Sequence, residues 1–265
     1  MRLWLFATMI LLLLAEAAST QTKEIRVLAS NGMKAVIEQL RPRLQYEAGR
    51  PLVIEFNTSA ATRQRIESGE AFDIAILTAE VVNELTKSGK IASGSVVDLG
   101  RSGIGFGIRA GAPRPDILTP DAVRRALLNA KSLTWVSVGA SRVHIDRMLD
   151  SLGIAAEVKP KTLLTQGVDE SVASVAAGKT EMIVTLISEI MPAKGLQYVG
   201  PLPTKFQNYV AFAAGISPKS AETAASAAVI RLLAEPGVAR VYESKGMELP
   251  VVTDIRPPAL RPPQK

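Results

Sequence analysis

Cysteine is absent from the 265 residues, and histidine occurs once, at His144. Without cysteine there is no disulfide, so an exported chain of this sequence must draw its stability from a buried core. One imidazole and no thiolate argue against a transition-metal site, which takes several such ligands. No metal and no cofactor are expected. Serines are plentiful, but no G-x-S-x-G elbow occurs, and a single candidate imidazole base is weak support for a hydrolase triad. Aromatic residues make up only 5% of the chain, and the basic residues are scattered rather than interleaved with stacking rings. Nucleic acid is therefore not an expected partner.

Long apolar runs are scarce as well. The most apolar stretch, Leu3 to Leu14, falls short of the roughly 20 residues that span a bilayer. It follows a basic Arg2 and precedes the small residues of AEAAS, the layout of a secretory signal peptide. The expectation is a cleavable leader over residues 1–19 and a periplasmic mature protein; a retained anchor is the alternative reading. No cysteine follows the apolar run to carry a lipid. Roughly 245 residues remain, enough for one large or two small domains. The net charge of +6 is unchanged by removal of Arg2 and Glu16 together. A mild positive field suits an anionic solute.

From residue 24 the pattern alternates. EIRVLA (24–29), PLVIEF (51–56) and DIAIL (73–77) read as strands, with helices over 31–48 and 79–88 stopped at Gly49 and Gly89. DIAIL, a short apolar run between polar residues, is the mark of a strand covered on both faces. Strands alternating with helices predict an α/β fold with a parallel sheet. The theme returns in LTWVSV (133–138), a helix over 141–152, a helix ending at Gly178, EMIVTLI (181–187), LQYVG (196–200) and YVAFAAGI (209–216), then helices over 217–231 and from Pro236. Between the halves lies SGIGFGIRAGAPRP. GIGFG is a poor dinucleotide fingerprint, because prolines follow where a helix is required. It reads as a strand whose glycines mark close backbone approach. The tail 251–265, IRPPALRPPQK at its end, is expected to be extended. No internal repeat is evident.

Three strand-to-helix junctions carry small polar residues: Ser30-Asn31 in LASNGMK, Thr58-Ser59-Ala60 in FNTSAATRQ, and Ala140-Ser141-Arg142 in VSVGASRVH. In open α/β sheets ligands bind beyond the carboxyl ends of the strands. A helix's first turn offers unpaired backbone N–H groups and the positive end of the dipole, which hold oxyanions without a counter-charge. The plainer reading of each junction is an ordinary N-cap. Arg142 reads either as a cation at the mouth or as a helix residue paired to Asp146 at i+4. His144 reads as a lip residue, Asp73 as a strand-start or cap residue, and Glu189 as a cap of the next short helix or part of the cleft wall.

On the motifs IRVLASNGM, NTSAATRQRIESGEAFDIAIL and SLGI…AAGKTEMIVTLISEI…YVGPLP, the chain resembles the molybdate-binding periplasmic proteins of ABC importers, within the type 2 periplasmic binding proteins. The resemblance implies a two-lobed α/β fold with two crossing hinge strands, here 20–104 plus 205–250 as one lobe and 105–204 as the other. The crossings would lie near Gly103–Arg109 and Gly200–Gln207. It implies an oxyanion such as molybdate or tungstate closed between the lobes, hydroxyl donors at Ser30 and Ser59, a backbone N–H near Ala140 and Ser141, a membrane permease as partner, a monomer, and no catalysis. The sequence departs from the pattern at Leu186, where a tyrosine is usual, at Asn31-Gly32, and at Arg142. An arginine fork suits a planar carboxylate better than a tetrahedral dianion. A small organic carboxylate is therefore the second ligand class, and an exported α/β enzyme or a sensor domain are the other functions in view.

Overall fold

The computed structural model describes residues 23–249. The expected leader and the tail 251–265 lie outside the described residues. The chain begins with β1 (Ile25–Ser30), α1 (Lys34–Ala48), β2 (Leu52–Asn57), α2 (Ser59–Glu67), β3 (Ile74–Thr78) and α3 (Ala79–Lys87). β1 lies between β2 and β3, parallel to both. Ile25, Val27, Leu28 and Ala29 of β1 are all buried, because helices cover both faces. That is why these strands are continuous apolar runs rather than alternating ones. Gly49, with φ 61°, ends α1 in the left-handed conformation that glycine adopts without strain.

A long strand, β4 (Val97–Arg109), then leads through α4 (Pro120–Asn129) into β5 (Leu133–Val136), α5 (Arg142–Ser151), α6 (Ala155–Val158), β6 (Thr162–Thr165), α7 (Val168–Ala176), β7 (Met182–Leu186) and α8 (Ile187–Ile190). Thr119 caps α4 by accepting from the Ala122 N–H, with Pro120 at the first helical position, as the sequence predicts. β5 is parallel to both β6 and β7. The chain returns by β8 (Leu196–Pro201) to β9 (Tyr209–Ile216), α9 (Thr223–Ala234), α10 (Ala239–Ser244) and the short β10 (Met247–Glu248).

The strands run in the order β2-β1-β3-β9-β4-β7-β5-β6. Each half has three parallel strands with one antiparallel strand at the inner edge: β9 beside β3, and β4 beside β7. The two halves thus repeat a topology although no sequence repeat is visible. β4 serves both. Gly103 pairs with Tyr209 of β9, and the next residue, Ile104, pairs with Leu186 of β7. The second passage is the β8–β9 segment. There the Gln207 amide both accepts from the Ile104 N–H and donates to the Ile104 carbonyl, each at 2.9 Å. The side chain thereby pairs the Ile104 N–H and joins the Leu202 N–H, 3.0 Å away, at the Ile104 carbonyl.

The glycines of GIGFG make room for neighbours. A Cβ at Gly105 would lie 2.8 Å from the Gly200 carbonyl oxygen, and one at Gly107 would lie 2.8 Å from Ile190 of α8. No helix or phosphate cradle follows them. Their role is to let β8 and α8 press onto β4.

Three expectations shift. β5 ends at Val136, two residues early, because the chain turns after Ser137 donates to Thr165. Residues 31–33 form a 3-10 turn rather than the start of α1. The alanine-rich helix starts at Thr223 rather than Ser217, since Ser217 and Ser220 are engaged by Asp73: the Asp73 carbonyl accepts from the Ser217 N–H, and its carboxylate accepts from the Ser220 hydroxyl. Asp73 also accepts from the Arg26 N–H at 2.9 Å. It clamps β1, β3 and the β9–α9 turn, a wider role than a strand start. No helix among the described residues is long and apolar enough to cross a membrane.

Replacing Gln207 by alanine leaves the Ile104 N–H without this partner, while the Ile104 carbonyl keeps the Leu202 N–H. Urea denaturation should show a loss of about 1–3 kcal/mol. An unchanged midpoint would mean that the crossing is held by other contacts.

Candidate functional site

The carboxyl ends of β1, β2, β5, β6 and β7 face one cavity. Its wall includes Ser30 and Asn31 after β1, Thr58 and Ser59 after β2, and Gly139, Ala140 and Ser141 after β5. Val168 at the head of α7 and Thr185, Leu186 and Glu189 around the β7–α8 turn complete it. The cavity is narrow, about 20 Å³, and a single water needs roughly 10–15 Å³ of such space.

The hydroxyls divide into working parts. Thr58 is the N-cap of α2, its Oγ1 accepting from the Ala61 N–H at 3.2 Å. Its own N–H donates to the Asn57 carboxamide. Ser59 Oγ accepts from the Thr78 N–H at 3.0 Å, which ties α2 to the end of β3 and leaves the hydroxyl proton to donate. Ser30 and Ser141 are buried, yet neither hydroxyl has a hydrogen-bond partner among the described residues. The N–H groups of Ser59 and Ala60, and those of Ala140 and Ser141, likewise take no partner among the described residues. Two helix starts from opposite halves therefore bring unpaired donors to the region of one cavity.

Two of the sequence candidates stand differently. Ala60 is not part of the wall and can act only through its N–H. Arg142 does not reach the wall either. Its Nε donates to Asp146 Oδ2 at 2.8 Å, one turn along α5, the i+4 pairing that competed with the mouth-cation reading. Ser141 has φ −81° and ψ −17°, a helical conformation, so it is not an extended side-chain cap. His144 lies outside the cavity in a surface hollow with Arg147, Lys205 and Phe206. Burial and the neighbouring Arg147 hold its pKa below the usual histidine value.

Two departures from the resembled pattern touch each other. A Cβ on Gly32 would lie 2.9 Å from Leu186 Cδ1 and 2.4 Å from Phe212 Cζ. Glycine after Asn31 is what lets the Leu186 and Phe212 side chains fill the space beside the cavity.

Thr185 is not among the sequence candidates for the site, and Glu189 reads from sequence as either a helix cap or part of the cleft wall. The β7–α8 junction lacks the small-polar cluster that flags the other three. Its signal is a hydroxyl and a carboxyl at i,i+4, TLISE. Glu189 is the cavity wall's sole ionisable side chain. Its Oε2 accepts from the Thr185 hydroxyl. Loss of water around the carboxyl pushes its pKa up to about 7, against the opposing pull of the Thr185 and Leu186 hydrogen bonds; Asp169 adds a smaller push upward. Lys34 of α1 does not neutralise Glu189. Its Nζ is 3.0 Å from Asp169 Oδ2 at the head of α7, an exposed pair between the two halves.

This arrangement, an α/β sheet in two halves with donors from strand ends around one cavity, is that of a solute-binding protein. Residues 25–248 match the bacterial extracellular solute-binding protein family, and the chain belongs to it. The chain is 29% identical over 245 residues to an aconitate isomerase from a Pseudomonas species, covering 89% of this chain and 90% of that one. In fold it is similar to the Azotobacter vinelandii periplasmic molybdate-binding protein, with TM-score 0.73, 16% identity, and coverage of 85% of this chain and 99% of the other. It is also similar to the sulfate-binding protein of Mycobacterium tuberculosis, with TM-score 0.67, 15% identity, and coverage of 85% and 86%. The two-lobed periplasmic binding protein fold expected from sequence is thus present.

A carboxyl whose folded pKa lies above its unfolded value of 4.5 costs no stability below pH 4.5. Between there and about pH 7 the unfolded chain has lost a proton that the folded chain keeps, so stability falls as pH rises. Glu189→Gln removes this dependence. Urea denaturation without ligand should show the variant gaining about 1–3 kcal/mol on the wild type between pH 4.5 and pH 8. An equal difference at both pH values would mean that the carboxyl is not desolvated.

Proposed function

We propose that this protein is the periplasmic solute-binding component of an ABC importer and that it captures a compact oxyanion, molybdate or tungstate first, between its two lobes. The observation that carries this reading is the convergence of uncharged donors on one cavity that no lysine or arginine lines. Ser30, Ser59 and Ser141 supply hydroxyls, and the N–H groups come from Ser59 and Ala60 at the start of α2 and from Ala140 and Ser141 in the turn before α5. Fixed dipoles of this kind stabilise negative charge without a counter-ion. The narrow cavity favours a compact ligand over a sugar or peptide. It also implies that the lobes part to admit the ligand, moving about the crossing strands at Gly103–Ile104 and the β8–β9 segment, with 20–104 plus 205–250 as one body and 105–204 as the other. The closed, loaded monomer would then dock to a membrane permease. Export through the leader at residues 1–19 belongs to the same reading.

A second reading has its own support. The relative named aconitate isomerase aligns along nearly the whole chain, and Glu189 places an ionisable carboxyl in the cavity. On that reading the ligand is a small unsaturated polycarboxylate and the protein is an exported isomerase. Arg142, held by Asp146, does not favour either class.

Calorimetric titration of the mature protein with molybdate, tungstate, sulfate, phosphate and cis- and trans-aconitate separates the two. Tight binding of a tetrahedral oxyanion, with no change in the ultraviolet spectrum of added aconitate, is the expected result. Conversion of aconitate would establish the second reading, and no response to any of the six would end both. Ser30→Ala and Ser141→Ala should each weaken the bound anion about 5- to 30-fold, or ~1–2 kcal/mol, with little change in the ligand-free melting temperature.

A further inference from the structure

We propose that Glu189 touches the bound anion as a neutral carboxylic acid, so that the cavity takes up one proton together with its ligand. This rests on the reading of the cavity as an anion site.

The geometry sets the problem. Glu189 shares the wall with Ser30, Ser59 and Ser141, the donors that the anion reading requires. A charged carboxylate there would face the anion's own charge across a narrow gap poorly screened by water, where repulsion is strong. A neutral carboxyl has a hydroxyl to donate and joins the donor set instead. The hydrogen bond from Thr185 is compatible with either state, since the second oxygen carries the proton. The position is fixed by packing. Gly107 lets Ile190 lie against β4, and Gly105 admits Ile187, so α8 is pressed onto the strand with Glu189 held at the cavity.

The charged and titratable groups around Glu189 agree. From α7, Asp169 raises the carboxyl's proton affinity. Lys34 of α1 is engaged by Asp169. From α5, Arg142 is engaged by Asp146. From β8, the Tyr198 phenol is pushed up to about 12 by burial and stays neutral. α2, β5 and β7 contribute only hydroxyls, amides and apolar groups to the wall. Burial, with a smaller push from Asp169 and against the pull of the Thr185 and Leu186 hydrogen bonds, brings the carboxyl to about 7, and an anion beside it favours the proton further. His144, the other group that titrates near neutrality, is outside the cavity and its pKa is displaced toward acid.

The test uses sulfate, molybdate or tungstate, whichever binds, because their dianions do not themselves take up protons between pH 6 and 9. For the wild type, affinity should fall about a hundredfold from pH 6 to pH 9. Titration at pH 8 in two buffers of different ionisation enthalpy should show close to one proton taken up per anion. Glu189→Gln, whose amide donates at every pH, should bind with a pH-independent affinity and no proton uptake. The two-buffer measurement on the wild type stands even where the variant does not fold. A flat wild-type profile, affinity that rises with pH, or equal proton uptake in the variant would overturn the proposal while leaving the anion site in place. Absence of binding by any of the three anions at any pH would overturn the proposal together with the oxyanion reading it rests on.

Discussion

The backbone N–H groups of Ser59 and Ala60 at the start of α2, and of Ala140 and Ser141 in the turn leading into α5, have no partner among the described residues, and the two segments are brought from opposite halves toward the same cavity. The rest of the site depends on that convergence. Parallel strands oblige it: in each half, three strands point their carboxyl ends the same way, and the antiparallel pairing of β9 and β4 at the inner edges turns the two sets of ends toward each other. Serine at those ends adds hydroxyls, and alanine and glycine keep the backbone accessible. The wall needs no cation because the donors are dipoles fixed by secondary structure.

Close packing between strands and the short α8 decides the remaining chemistry. Gly105 and Gly107 lack the methylene that would hold β8 and α8 away from β4. Gly32 lacks the one that would displace Leu186 and Phe212. These absences tighten the gap and bring a carboxyl to it. In water Glu189 would be an ordinary acid; partly buried in the cavity wall, its carboxyl is pushed up to about 7 by loss of water. A site built on neutral donors can accommodate such a group only by keeping it protonated, and this links the ligand's charge to pH.

Much of the fold was legible because its strands announce themselves. DIAIL and YVAFAAGI are apolar on both faces, and the structure places them at β3 and β9 with nearly those limits. Gly49, Gly89 and Gly178 marked helix ends correctly, each with positive φ. The errors have local causes. Ser217 looked like a helix start, but Asp73, distant in sequence, captures Ser217 and Ser220 and delays α9. LTWVSV looked like six strand residues, but only the first four pair with β6 and the turn toward Ser141 takes the rest. At the site, small polar residues after a strand located the three junctions of the wall that share that composition. Thr185 escaped because TLISEI carries no glycine and its one serine, Ser188, is buried. Glu189 was legible only as two alternatives, a cap of α8 or part of the cleft wall, and it lines the wall. What it faces is set by β4 and β1, and no local pattern records that. Arg142 shows the opposite case: a charge at a suggestive place, taken up by Asp146 one turn away.

The central claim is that both halves present their unpaired amides to a single bound anion. Nitrogen–proton correlation NMR of the mature protein, titrated with the anion that binds it most tightly, tests this directly. The account requires the amides of Ser59 and Ala60 in one half and of Ala140 and Ser141 in the other to shift together, with one shared dissociation constant. Shifts confined to one half, or centred on the hollow at His144, Arg147 and Lys205, would contradict it.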